Sequence, residues 1–175
     1  MSLFAKHMTS STASRRLRLP RSRNLGLGTG AVRAGHTIPF RSRGEILVES
    51  VIPLGKRAAL LRGRDSGKGT LLGRYTSEYR VEARPAKTKD GTVIWRYEGE
   101  FTSTTADGDT LTAHLAAEGP SRATEVTAKA TVLSGTGRFA NVRGEWTSRA
   151  IATPAGFVYE SAGEIILPKG SAKKR

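Results

Sequence analysis

The sequence predicts an all-β chain: a closed antiparallel β-barrel of about eight strands, with disordered basic termini. Three observations carry this reading. From residue 45 onward, apolar and polar side chains alternate with a period of two, as they do on a half-buried strand. Asp-Gly pairs and Pro/Gly breaks recur between the alternating runs. No segment carries an apolar 3.6-residue period of helical length.

Residues 45–54 (Glu-Ile-Leu-Val-Glu-Ser-Val-Ile-Pro-Leu) form the first expected strand. In 71–81 one face carries Leu71, Gly73, Tyr75, Ser77, Tyr79 and Val81, and the other Arg74, Thr76, Glu78 and Arg80. Next, Val93, Trp95, Tyr97, Gly99 and Phe101 oppose Arg96, Glu98 and Glu100. Leu111, Ala113, Leu115 and Ala117 oppose Thr110, Thr112, His114 and Glu118, and Val126, Ala128, Ala130 and Val132 oppose Glu125, Thr127, Lys129 and Thr131. Ala140, Val142, Gly144, Trp146 and Ser148 oppose Arg143, Glu145, Thr147 and Arg149. Finally, Phe157, Tyr159, Gly163, Ile165 and Leu167 oppose Val158, Glu160 and Glu164.

Turn signals separate these runs at Lys89-Asp90-Gly91, Ala106-Asp107-Gly108-Asp109, Gly119-Pro120-Ser121 and Thr153-Pro154-Ala155-Gly156. Short turns imply antiparallel pairing throughout. Closing the sheet removes its exposed edges and covers its apolar face. A two-sheet sandwich is the structural rival.

The chain has 175 residues, 37% of them hydrophobic and 25% charged, which suits one globular domain. With no cysteine there is no disulfide framework, thiolate metal site or cysteine nucleophile. His7, His36 and His114 are far apart and show no metal-ligand spacing, so no metal and no cofactor are expected. His114 falls on the polar face and reads as a surface residue.

The net charge of +14 is unevenly distributed. Residues 1–44 carry nine Lys/Arg and no acid, and 169–175 carry four more bases. The remainder, 45–168, balances sixteen bases against fifteen acids. The expected organisation is therefore a disordered basic arm (1–44), a barrel (45–168) and a basic tail (169–175). Arg15-Arg16-Leu17-Arg18 resembles a twin-arginine export signal, but Pro20-Arg21-Ser22-Arg23 follows where an apolar stretch should stand. A cytoplasmic location is expected, or an organellar one if the source is a eukaryote and the acid-free, Arg- and Ser-rich arm is a transit peptide. No stretch is long and apolar enough for a transmembrane segment.

Two glycine patterns carry no function. Gly26-Leu27-Gly28-Thr29-Gly30-Ala31 fits a loose dinucleotide fingerprint without the strand and helix that should flank it. Gly63-Arg64-Asp65-Ser66-Gly67-Lys68-Gly69-Thr70 is one residue short of a phosphate loop, and both segments read as flexible glycine runs.

Ser134-Gly135-Thr136-Gly137-Arg138-Phe139-Ala140-Asn141-Val142-Arg143-Gly144 resembles the glycine-rich hairpin of plant dirigent proteins and of allene oxide cyclases. Gly135 and Gly137 permit a tight turn, Phe139 re-enters as an apolar plug, and Gly144 allows close approach. Gly69–Arg80 and Phe101–Leu115 are similar to further dirigent strands. Ser134 and Val142 depart from the dirigent pattern, and none of those families' active-site residues can be aligned. The resemblance implies a calycin-like eight-stranded barrel and a homotrimer, and no particular reaction.

The expected lumen alternates aromatics with small residues. That arrangement either packs solid or leaves one small-molecule cavity. In the second case Tyr75, Tyr79, Trp95, Tyr97, Phe101, Trp146 and Tyr159 are the ligand-binding set, with no catalytic residue assigned. Three function classes follow. One is a barrel that binds a small hydrophobic ligand, as a cofactor-free cyclase or isomerase or as a stereochemical guide. Another is a non-enzymatic oligomeric module joined through Leu72, Ile94, Leu133 and Ile166 on the outer face. The third is a binder of nucleic acid or another anionic surface through the basic tails.

Overall fold

The computed structural model describes residues 35–120 and 123–168. The arm through residue 34, the tail 169–175 and the Gly26–Ala31 pattern lie outside the described residues. Eight strands follow in chain order: β1 (His36–Pro53), β2 (Ala59–Gly69), β3 (Gly73–Lys87), β4 (Val93–Thr105), β5 (Thr110–Gly119), β6 (Glu125–Gly135), β7 (Arg143–Thr153) and β8 (Gly156–Leu167). Each pairs antiparallel with its neighbour in sequence, and β8 returns to β1, with Ile38 opposite Ile165 and Ile46 opposite Phe157. The result is a closed barrel rather than a sandwich.

The predicted facing holds over most of the barrel. Tyr75, Ser77, Val81, Ala113, Ala130, Trp146, Tyr159 and Ile165 are buried, while the charged residues between them are exposed. The four expected turns lie where the Gly and Pro signals placed them.

Three strands differ from expectation. β7 begins at Arg143, so Ala140 and Val142, expected on its inner face, lie before the strand, and Ala140 is exposed. β1 begins at His36, nine residues before the expected barrel start, so Arg41 and Arg43 belong to the barrel wall and Phe40 is 1% exposed in its core. The segment 63–70, read as a flexible glycine run, is mostly strand: β2 pairs from Gly69 opposite Ser42 to Ala59 opposite Pro53. The β2–β3 reversal falls at 70–72, where Leu71 has φ 70°, and β3 then opens on Gly73 with φ 67°. Leu71 is thus a turn residue, and Gly73 is the first residue of β3, opposite Gly69. Leu72, expected on an outer strip, is 3% exposed and packs inward.

The barrel is plugged at one end. Leu72, Leu111, Phe139, Val142 and Ile165 are each at most 5% exposed and cluster with Phe40 and Trp146. The glycine-rich hairpin builds this plug. Residues Gly137–Phe139 form one 3-10 turn that delivers the Phe139 ring. Gly137 has φ 54°, and a Cβ there would stand 1.7 Å from Asp109 Oδ1. Asp109 Oδ2 in turn accepts the Arg138 backbone N–H at 3.3 Å, which ties the β4–β5 turn to the β6–β7 turn. Burying a side chain the size of Phe139 contributes about 1.5–3 kcal/mol.

The opposite end carries the β1–β2, β3–β4, β5–β6 and β7–β8 turns. Two residues there keep the inward phase of their strands yet are widely exposed, Val51 at 59% and Val93 at 55%. Val51 owes its phase to an irregularity in the pairing between Val48 and Ser50, which puts Glu49 and Ser50 both on the outside.

Candidate functional site

Between the plug and this second end lies a cavity of about 360 Å³. Its walls come from every strand and are mainly apolar. Of the seven residues expected to bind a ligand, six line it: Tyr75, Tyr79, Tyr97, Phe101, Trp146 and Tyr159. Trp95 does not. It is half-buried, opposite Pro85 and Gly119, past the cavity wall near the barrel end. The small residues of the lumen leave this space above a base of packed rings, in which the Trp146 ring centre lies 4.6 Å from that of Phe40, tilted by 42°, and 6.0 Å from that of Phe101, edge to face.

The residue that gives the cavity its chemistry is Asp65, on the strand the alternation did not expose. It is the one carboxylate among the lining residues. Its Oδ1 accepts from Ser77 Oγ at 2.9 Å and from Tyr159 OH at 3.4 Å. Ser77 is bonded to Ser103 Oγ at 2.8 Å, and the Tyr159 hydroxyl to that of Tyr75. With one proton per hydroxyl, one arrangement satisfies both arms of the network: Tyr75 donates to Tyr159 and Tyr159 to Asp65, while Ser103 donates to Ser77, which donates to Asp65. Every proton then points toward the carboxylate. Among the described residues Oδ2 makes no hydrogen bond, yet no buried side-chain oxygen lacks a partner, so Oδ2 is accessible from the lumen.

Burial governs the electrostatics. Desolvation pushes the Asp65 carboxyl up from its ordinary 3.8 to about 6, against the opposing pull of the Ser77 and Tyr159 hydrogen bonds. Tyr79 is pushed up to about 12 by burial, with smaller contributions from Asp65 and Glu49. Burial also raises Tyr75, Tyr97 and Tyr159, and the Asp65 charge adds to the rise in Tyr75 and Tyr159. The phenols are therefore neutral donors near neutral pH, and Asp65 is the group that can take up or release a proton there.

Glycines make room for this cluster. A Cβ on Gly63 would stand 2.5 Å from Tyr79 OH, and one on Gly67 would stand 2.8 Å from the hydroxyls of both Tyr75 and Tyr159. A Cβ on Gly44 would also be 2.8 Å from Tyr159 OH. The same glycines that make 63–70 look like a loop let Tyr159 reach Asp65, Tyr75 reach Tyr159, and Tyr79 donate to the Leu47 carbonyl at 3.0 Å. A signal was present: Arg62, Arg64, Ser66 and Lys68 alternate with Leu61, Gly63, Asp65 and Gly67, a polar outer face opposite a small inner one.

Elsewhere the structure places sequence-flagged residues outside the lumen. His114 faces outward, its Nε2 3.4 Å from Glu98 Oε1. Leu133 and Ile166 are exposed, at 53% and 40%, and Ile94 is half-buried. Among the described residues no group of three His, Asp or Glu converges as metal ligands would, and no described helix is long and apolar enough to cross a membrane.

No protein-family model matches the chain, and no curated protein matches it by sequence. The fold does match solved structures. A pterocarpan synthase dirigent protein, GePTS1, superposes with a TM-score of 0.50 at 8% identity, over 86% of this chain and all of that one. A second pterocarpan synthase dirigent protein, PsPTS1, gives a TM-score of 0.45 at 13% identity, over 79% of this chain and 98% of that one. The chain has a dirigent-like fold.

Proposed function

We propose that this barrel binds a small, largely apolar molecule bearing at least one oxygen function, and that Asp65 transfers a proton to or from it in a ring-closing or isomerising step. The observation that carries this reading is a single carboxyl, Asp65, set among hydroxyl donors in a mainly apolar cavity of about 360 Å³, where burial pushes it up to about 6. A carboxyl with that pKa is divided between acid and base near neutral pH, which suits general acid–base catalysis. The apolar walls would hold a flexible substrate in one reactive conformer, and such preorganisation contributes several kcal/mol, roughly 7–11 in favourable cases. The Tyr75–Tyr159 pair and Oδ2 of Asp65 would anchor the oxygen function. A dirigent-like fold, shared with a protein described as a pterocarpan synthase dirigent protein, supports stereochemical guidance or ligand binding as the class of role.

The test is titration of the full chain with N-phenylnaphthylamine, a neutral apolar fluorophore. Saturable fluorescence enhancement is expected, together with quenching of Trp146. Ala128→Phe, which projects a ring into the cavity, should abolish binding while the far-ultraviolet circular dichroism stays that of a barrel. Unchanged binding in that variant would sink the reading.

A further inference from the structure

The second end of the barrel has a composition of its own. Around it, Val51 and Val93 are more than half exposed, and Ile52 and Leu54 are 39% and 41% exposed. A soluble barrel normally finishes in polar turns, and grouped exposed aliphatics mark an interaction surface. Cations stand among them: Lys56 and Arg57 in the β1–β2 turn, and Lys87 and Lys89 at the tip of the β3–β4 hairpin, all exposed. The acid in that tip, Asp90, is held locally by Thr88 and Thr92. The half-buried indole of Trp95 lies two residues from Val93 on the same face of β4.

We infer that this rim docks the barrel on an anionic lipid surface, placing the cavity against the acyl region from which an apolar ligand would enter. Exposed aliphatics next to Lys and Arg, with an amphipathic Trp at the boundary, are the composition of elements that lie in a bilayer interface. The aliphatics gain by leaving water for the acyl boundary, and the cations gain by approaching lipid phosphates. An acidic protein partner would use the cations but would leave Val51 and Val93 without a matching environment. Only the purpose of docking rests on the proposed ligand-binding role of the cavity; the exposed aliphatics and cations of the rim are there without it.

Co-sedimentation of the full chain with vesicles tests it. One set of vesicles is phosphatidylcholine alone, and the other is phosphatidylcholine mixed equally with phosphatidylglycerol. The wild-type chain should bind the anionic vesicles and bind the neutral ones more weakly. Leu54→Asp combined with Val93→Asp changes only exposed side chains and should weaken binding to anionic vesicles at least about tenfold. Lys56→Glu combined with Lys87→Glu should do the same. If either double variant binds as the wild type does, attachment runs through the basic termini and the rim is not the docking surface. Failure of the wild type to bind at all overturns the inference equally. N-phenylnaphthylamine binding is measured in parallel. If it persists while vesicle binding is lost, rim and cavity are separate functions; if it is absent from the wild type while vesicle binding still tracks the rim, the cavity reading fails and the docking stands.

Discussion

Ser77 Oγ donates to Asp65 Oδ1 at 2.9 Å across the β2–β3 pair, where the two residues are direct cross-strand partners. A carboxyl inside a barrel is destabilising unless it is paired, and here the compensation comes from neutral hydroxyls rather than a cation. It is partial, which is why the carboxyl stays well above its ordinary value.

The stability of the fold should therefore fall as pH rises through the acid range. Between 3.8 and about 6, the native state keeps a proton on Asp65 that the unfolded chain releases. Unfolding free energy declines across that window and levels off above it. The gap corresponds to roughly 3 kcal/mol. Asp65→Asn should remove this decline and stabilise the protein by about 1–3 kcal/mol near neutral pH. Urea midpoints of both proteins at acid and neutral pH check it; an unchanged slope in the variant would contradict the assignment.

Tyr159→Phe keeps the ring and deletes one hydroxyl. It leaves Tyr75 without its partner and removes one donor from Asp65. A loss of about 1 kcal/mol of stability is expected. The Asp65 carboxyl should titrate still higher, because one of the bonds holding it down is gone. Carbon-detected nuclear magnetic resonance of the Asp65 carboxyl reads the shift directly.

Gly67→Ala tests the packing of the cluster. Its Cβ would meet the Arg43 carbonyl at 2.7 Å and both tyrosine hydroxyls at 2.8 Å. Displacing them should cost about 1–3 kcal/mol, as overpacking does, and weaken apolar-probe binding. A variant as stable as the wild type would show that the wall has slack.

The plug should behave as a separate structural element. Phe139→Ala removes a ring that is 1% exposed and should cost about 3–5 kcal/mol in a urea melt. Gly137→Ala should also destabilise the fold, because φ 54° disfavours a side chain and its Cβ would collide with Asp109.

Local chemistry alone determined the class of fold. Side chains alternate wherever a strand separates core from water, so seven of the eight strands and six of the cavity residues were legible from the period-two pattern. The Phe139 turn was legible too, since only glycine suits its tight geometry and close approach. Tertiary structure decided the rest. β2 was missed because three of its inward or end positions, Gly63, Gly67 and Gly69, are glycine, and a glycine-rich strand has no apolar face to read. The smallness of Gly63 and Gly67 has meaning only once Tyr75, Tyr79 and Tyr159, distant in sequence, arrive against them. Asp65 likewise reads as a solvated loop acid until barrel closure puts it in the lumen and desolvation raises its pKa. Trp95 lies outside the cavity for the complementary reason: its phase is inward, but β4 runs past the cavity wall. Period two says which side of a strand a residue faces, and only the three-dimensional register says what lies on that side.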